Sequence, residues 1–161
     1  EDSENQYYGS SSKYYTLLIR DPNREGDVGK TGICSIYFRP LENTGCWWLS
    51  YLSTVEGSVG KGYGRMIMWR MINLARRAED VREIWLEVDP NLEGVRKLYQ
   101  TLGFEEVSWD KLPSGISNYE MVYPDVGDPQ KTKRERVYKH QGKFVLMRLN
   151  LSIFPHLTGR S

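Results

Sequence analysis

Gly60-Lys61-Gly62-Tyr63-Gly64 places three glycines just ahead of a stretch whose apolar residues recur at three and four positions. At a strand-to-helix junction, glycines let the backbone turn tightly and approach a ligand. The first amides of the helix are unpaired and lie at the positive end of its dipole, so they favour an anion. The chemistry on offer is the binding of a phosphate-bearing cofactor, and a plain tight turn satisfies the same residues. A Walker loop needs four residues between its first glycine and a Gly-Lys-Ser/Thr, and no such string occurs. A dinucleotide fingerprint needs G-x-G-x-x-G, but its last position falls on Arg65 counted from Gly60 and on Ile67 counted from Gly62. Glu87, at the end of the next predicted strand, can mimic the ribose-binding acid and keeps a nicotinamide or flavin oxidoreductase as an alternative. A second string, Leu98-Tyr99-Gln100-Thr101-Leu102-Gly103-Phe104, sets a tyrosine four residues before Gly-Phe at a predicted helix end.

The elements that must position these strings follow from periodicity. Residues 14–20 (YYTLLIR), 32–39 (GICSIYFR) and 46–55 (CWWLSYLSTV) read as three hairpin-linked strands, with turns at 21–30 and 40–45. An amphipathic helix follows, with Tyr63, Ile67, Met71, Leu74, Ala75 and Ala78 on its apolar side. Residues 83–88 (EIWLEV) form a buried strand, and Asp89-Pro90-Asn91 supplies a cap and a turn before a second helix. Leu92, Val95, Leu98, Tyr99 and Leu102 mark the inner side of that helix, and Gly103 ends it. Strands over 104–109 and 143–151 flank a long polar stretch, 110–141, which holds a short strand around 119–123. Residues 1–13 read as a flexible lead-in and 152–161 as a tail.

The glycine loop and, about 35 residues later, the Tyr-x-x-x-Gly-Phe string together resemble the GCN5-related N-acetyltransferase (GNAT) superfamily. The family's Arg/Gln-x-x-Gly-x-Gly/Ala loop falls on Val59 to Gly64, and its preceding Leu-x-x-Leu-x-Val strand on Leu49, Leu52 and Thr54. Its Leu-Tyr-x-x-x-Gly-Phe falls without a gap on Leu98 to Phe104. The resemblance runs from about Tyr14 to Leu151. It implies an α/β (α+β) domain over 14–151, with a mixed, mostly antiparallel central sheet flanked by helices and a long insertion at 110–141.

The resemblance also implies acetyl-CoA as cofactor and direct attack of a primary amine on its acetyl group within a ternary complex. Leu52, Ser53 and Thr54 would face the acetyl and pantetheine. Val59, Gly60, Lys61, Gly62, Tyr63, Gly64 and Arg65 would cradle the pyrophosphate. Tyr99 would be the general acid for the departing thiolate, since an ordinary phenol of pKa about 10 is protonated at neutral pH. Asn91 stands one residue farther from Tyr99 than the family's usual asparagine. Val59 stands where the family has Arg or Gln, and Glu56 where it has Pro. Glu56, Glu87 and Asp89, near the ends of the two splayed strands, are the candidates for the base, and Trp48 and Tyr51 for the acceptor wall. A non-catalytic acyl-CoA-binding or interaction module on the same fold is the alternative from another class, motivated by Val59 and by the want of a clear base.

Composition narrows the rest. At 161 residues and 39% apolar, the chain makes one domain with an adequate core. Twenty-two basic and 21 acidic side chains leave a net charge of +1, so no overall field draws nucleic acid or an anionic membrane. Lys131, Lys133, Arg134 and Arg136, tempered by Glu135, read as a solvated loop rather than a nucleic-acid reader. Apolar runs end far short of the roughly 20 residues a bilayer crossing needs. Residues 1–13 are too polar for a secretory leader, so an intracellular, cytoplasmic protein is expected. Cys34 and Cys46 read as reduced buried thiols. His140 and His156 stand too isolated for a metal site or triad, and no metal is expected. The expected partners are an amine acceptor, small-molecule or protein, and a second copy of the chain in a homodimer. The first two strands match the family's second and third, so either the front of the domain is truncated or the insertion has taken over the acceptor wall.

Overall fold

A computed structural model describes residues 14–20, 33–55, 59–124, 126–130 and 134–152. The expected lead-in, the turn at 21–30, Glu56, Lys131, Lys133, His156 and the tail beyond Ser152 lie outside these residues. The order is β1 (Tyr15–Ile19), β2 (Cys34–Leu41), β3 (Cys46–Thr54), α1 (Tyr63–Arg77), β4 (Glu83–Val88), α2 (Glu93–Thr101) and β5 (Glu105–Val107). Then come β6 (Tyr119–Val122), β7 (Glu135–Tyr138) and β8 (Val145–Asn150). Six strands form a sheet in the order β1-β2-β3-β4-β8-β5, and β6 and β7 make a separate hairpin. Among the described residues β3 and β4 are the parallel pair, joined through α1, and the other pairings are antiparallel.

Alternation along β4 separates two cores. Ile84, Leu86 and Val88 join Phe38, Leu49, Met147 and Leu149 in a core covered by the buried face of α1 and by Tyr99 and Leu102 of the α2 region. Trp85 faces the other way, with Cys46, Trp48, Leu146, Trp109 and Ile116. Ile116, with Leu112 and Tyr138, brings part of the long polar insertion over this second core. Trp109 Nε1 donates to the Phe144 carbonyl at 3.2 Å, and Arg39 Nη2 donates to the Gly115 carbonyl at 2.9 Å, pinning the insertion to the sheet.

Several expectations shift. The buried stripe of α1 is Ile67, Met68, Met71, Ile72 and Ala75, so Leu74 falls at its edge and is 39% exposed. Leu92 precedes the first turn of α2 and is 52% exposed. The Asp89 carboxylate accepts the Asn91 amide at 2.9 Å, closing a turn at the end of β4 instead of capping α2, whose N-cap is Leu92. Arg136 belongs to β7 rather than to a loop, and its guanidinium lies 4.3 Å from the Tyr119 ring centroid. Trp48 is buried in the second core and so does not line an open acceptor wall, whereas Tyr51 is exposed. Cys34 and Cys46 are buried free thiols at opposite ends of the β2–β3 pairing.

Truncating Trp109 removes a buried ring of the second core together with its hydrogen bond to the Phe144 carbonyl. Trp109→Ala is expected to lower unfolding free energy by about 3–5 kcal/mol in denaturant titrations. Leu92→Ala, at an exposed position, is expected to stay within about 0.5 kcal/mol of the parent.

Candidate active site

The site is built where β3 leaves β4. Parallel pairing runs from Cys46–Glu83 to Leu49–Leu86 and no farther. At that point the β2–β3 register slips between Tyr37 and Phe38, which pair with Tyr51 and Leu49 and leave Ser50 as the extra residue. Such a bulge bends its strand and increases the local twist. It also explains how Leu49 and Leu52, three residues apart, both contribute to the first core. Beyond the bulge, Leu52, Ser53 and Thr54 keep β2 on one side and have no strand partner on the other among the described residues. The edge opened there can take an extended ligand by backbone hydrogen bonds.

The glycine loop stands at the start of α1. Gly60 and Gly62 have φ of +82° and +83°, and a Cβ at either would meet nothing within 4 Å, so the backbone is both turned and open. Gly62 is the N-cap and offers no side-chain cap, and the first turn carries no acidic residue. These features suit an anion such as a phosphate at the helix start. Gly64 has a different reason to be glycine, because a Cβ there would come within 3.3 Å of Leu98 on α2. Arg65 Nη2 donates to Thr101 Oγ1 at 2.8 Å, so one of its nitrogens ties the two helices together. Val59 and Lys61 are exposed, Tyr63 is half-buried, and Asn91 is exposed.

Tyr99 is held by the way α2 ends. Gly103 has φ +102°, its amide donates to Gln100 and that of Phe104 donates to Tyr99, both at 3.0 Å. This is a Schellman ending, and its hydrophobic contact is the Tyr99–Phe104 ring pair with centroids 5.7 Å apart. The spacing of tyrosine, glycine and phenylalanine is thus the spacing of one helix terminator. Burial pushes the Tyr99 phenol up to about 12.

On the opposite face of β4, Glu87 meets a residue that sequence separation hid. His140 Nδ1 lies 2.9 Å and 2.8 Å from the two Glu87 carboxylate oxygens, across 53 positions of sequence. Asn118 Nδ2 donates to the same carboxylate at 3.4 Å. His140 is therefore not isolated. Asp89 is committed to its turn. Burial, joined by the Glu83 carboxylate, pushes the Cys46 thiol up against a smaller opposing pull from Thr44, which disfavours a thiolate nucleophile there. Among the described residues no group of three or more His, Cys, Asp or Glu could hold a metal, and no helix is long and apolar enough to cross a membrane.

Beyond Glu87, a recess of about 600 Å³ opens between the end of β4 and the turn after His140. Its walls include Pro90, Glu106, Trp109, Gln141 and Phe144. A second recess of similar volume, at Gly45, Cys46 and Arg82, lies at the other end of the β3–β4 pair.

Comparisons with known proteins agree with this geometry. The fold is shared with the ribosomal-protein-S18-alanine N-acetyltransferase of Escherichia coli, at TM-score 0.58 and 14% identity over 94% of this chain and 77% of that one. It is also shared with a dodecameric spermidine N-acetyltransferase of Vibrio cholerae, at TM-score 0.59 and 12% identity over 97% and 75%. A GNAT-family acetyltransferase of Staphylococcus aureus gives TM-score 0.57 and 14% identity over 93% and 75%. Comparison with curated protein sequences returns no match. The model of the acetyltransferase (GNAT) family matches residues 8–104, more than half of the chain, and the chain belongs to that family.

Proposed function

We propose that this chain transfers the acetyl group of acetyl-CoA to a primary amine by direct attack within a ternary complex. The observation that carries the reading is the gap after Leu49–Leu86, where the edge of Leu52–Thr54 has no strand partner on that side among the described residues, a few residues ahead of the open glycine loop. Pantetheine carries amides that can add to that edge as a strand would. The pyrophosphate would meet the backbone amides of Gly60 to Gly64 and the positive end of α1. The acetyltransferase neighbours named above act on an alanine of a ribosomal protein and on spermidine, both amines, which fits a primary amine acceptor. Glu106, on the wall of the recess beside β4, adds a carboxylate that favours an ammonium group.

Acetyl-CoA supplies a thioester, an acyl group on a sulfur that can leave. The amine must lose one proton before its nitrogen attacks the carbonyl, and a second after the C–N bond has formed. The C–S bond then breaks with its electron pair going to sulfur, and that second proton ends on the thiol. Tyr99, with its phenol at about 12, is a weaker acid than a thiol of ordinary pKa about 8.5. Its contribution is therefore a hydrogen bond donated to the departing sulfur rather than full protonation. Hydrogen bonds to charged groups are worth about 1.5–3 kcal/mol. Tyr99→Phe is accordingly expected to slow single-turnover transfer by about 10- to 100-fold. Acetyl-CoA affinity should stay within about twofold, and an unaltered rate would remove Tyr99 from this role.

The reading as a whole is tested by calorimetric titration with acetyl-CoA, alongside turnover on a panel of N-terminal peptides, lysine peptides and polyamines. Binding with acetylation of an amine is the expected result. Binding without any turnover would favour the acyl-CoA-binding module, and no binding would overturn both.

A phenol pushed up on folding makes the native state bind more protons than the unfolded one between pH 10 and pH 12. The stabilising contribution is complete below pH 10 and is lost as pH rises toward 12. Denaturation at pH 9 and near pH 12 is expected to show a loss in the wild type exceeding that in Tyr99→Phe by about 2–3 kcal/mol.

A further inference from the structure

We propose that His140 takes the first proton from the acceptor ammonium through Nε2, and that Glu87 is the residue that positions it. The inference rests on the acetyltransferase reading and assigns the base that reading lacks. Glu87 is the first residue of β4 past the last β3 pairing, at the mouth of the gap. Its side chain points away from Leu86 and Val88, which belong to the core carrying Tyr99. The two groups therefore lie on opposite faces of the sheet, which lets the sulfur depart on one side and the amine arrive on the other.

The pair has the form that base catalysis needs. A carboxylate offers only lone pairs, and both Glu87 oxygens lie within 2.9 Å of Nδ1, so the ring proton is assigned to Nδ1 and the neutral ring's free lone pair to Nε2. An acceptor nitrogen whose partner is fixed by a carboxylate is the arrangement by which imidazoles serve as bases. The ring is held as well as oriented. The His140 carbonyl accepts the amides of Lys143 at 3.0 Å and Phe144 at 2.9 Å, and the ring packs at 5.0 Å from Phe144. Asn118, itself buried, also donates to Glu87 Oε2, the oxygen nearer to Nδ1. Along the same face of β4 and β8 the next charged groups, Glu83 and Arg148, pair with each other at 3.6 Å. Lys139 and Lys143, which flank His140 in the chain, are exposed. The imidazole is 40% exposed and Glu87 24%, so a substrate can reach the ring while the carboxylate stays behind it.

In the step itself the N–H bond of the ammonium breaks and a proton bonds to Nε2, while the freed pair on the amine nitrogen attacks the thioester carbonyl. The imidazolium returns its proton to solvent after the C–S bond has broken.

Two measurements test the assignment. Nitrogen NMR of the histidine-labelled chain without acetyl-CoA, above pH 7, is expected to show His140 protonated at Nδ1 and bare at Nε2. Glu87→Ala should abolish that preference, and the opposite tautomer in the wild type would overturn the proposal. In steady state, His140→Gln is expected to lower kcat/KM by about 100-fold near neutral pH. It should keep acetyl-CoA affinity within about twofold and move the plateau of the pH profile to higher pH. Glu87→Gln, which still accepts from Nδ1–H, should lose less than Glu87→Ala, and added imidazole should restore part of the rate of His140→Ala. An unchanged rate and profile in His140→Gln would overturn this assignment alone. A wild type that binds acetyl-CoA and acetylates no amine would overturn it together with the function proposed above.

Discussion

The site depends on one interruption of backbone pairing. A parallel pair that ran the full length of β3 and β4 would satisfy every strand amide and leave no edge for a ligand. Here the ladder stops at Leu49–Leu86, where the bulge at Ser50 turns β3 aside. Leu49 and Leu52 keep both sides of the bulge anchored in the first core. Buried backbone groups rarely go unpaired, so an edge left open between two packed faces can accept an extended, amide-bearing ligand. The glycine loop, Tyr99 and the Glu87–His140 pair owe their relevance to their places around that gap.

Local rules put two of these in position. Positive φ at Gly60 and Gly62 turns the chain into α1 with its amides outward, while Gly64 lets α1 approach Leu98. The Schellman ending sets Gly103 at the left-handed position and places Phe104 against Tyr99. Both devices work over a few residues of contiguous chain, so their residue types and spacing are visible in the sequence. The glycine turn into α1 and the spacing of Tyr99, Gly103 and Phe104 at the end of α2 were legible for that reason.

What was not legible depends on contacts between distant segments. Nothing local to His140 announces Glu87, because the two meet only when β8 pairs with β4 and the segment ahead of β8 is brought against the side chains of that sheet face. The 110–141 stretch reads as polar, yet Leu112, Ile116 and Tyr138 are spaced among its polar residues and, with Trp109 just ahead of it, pack on the tryptophan face of the sheet. Arg134 and Arg136 read as a charge run, but each guanidinium lies over a tyrosine ring, Tyr123 at 4.6 Å and Tyr119 at 4.3 Å. Periodicity likewise placed Leu74 and Leu92 inside, and it was tertiary packing, centred on Met68 and Met71, that left them at the margin.

The order of cause between core and site follows from magnitudes. A half-exposed ion pair contributes about 0–1 kcal/mol, too little to hold a hairpin over a sheet, whereas truncating a buried tryptophan costs about 3–5 kcal/mol. The insertion is therefore held by Trp109, Ile116 and the Trp109–Tyr138 contact at 6.0 Å, and His140 arrives beside Glu87 as a consequence. Because its place is set by apolar packing, the imidazole can change protonation during a reaction without unfastening the segment that carries it. The same packing shapes the recess beside the turn after His140, since Trp109 and Phe144 belong both to the second core and to its walls.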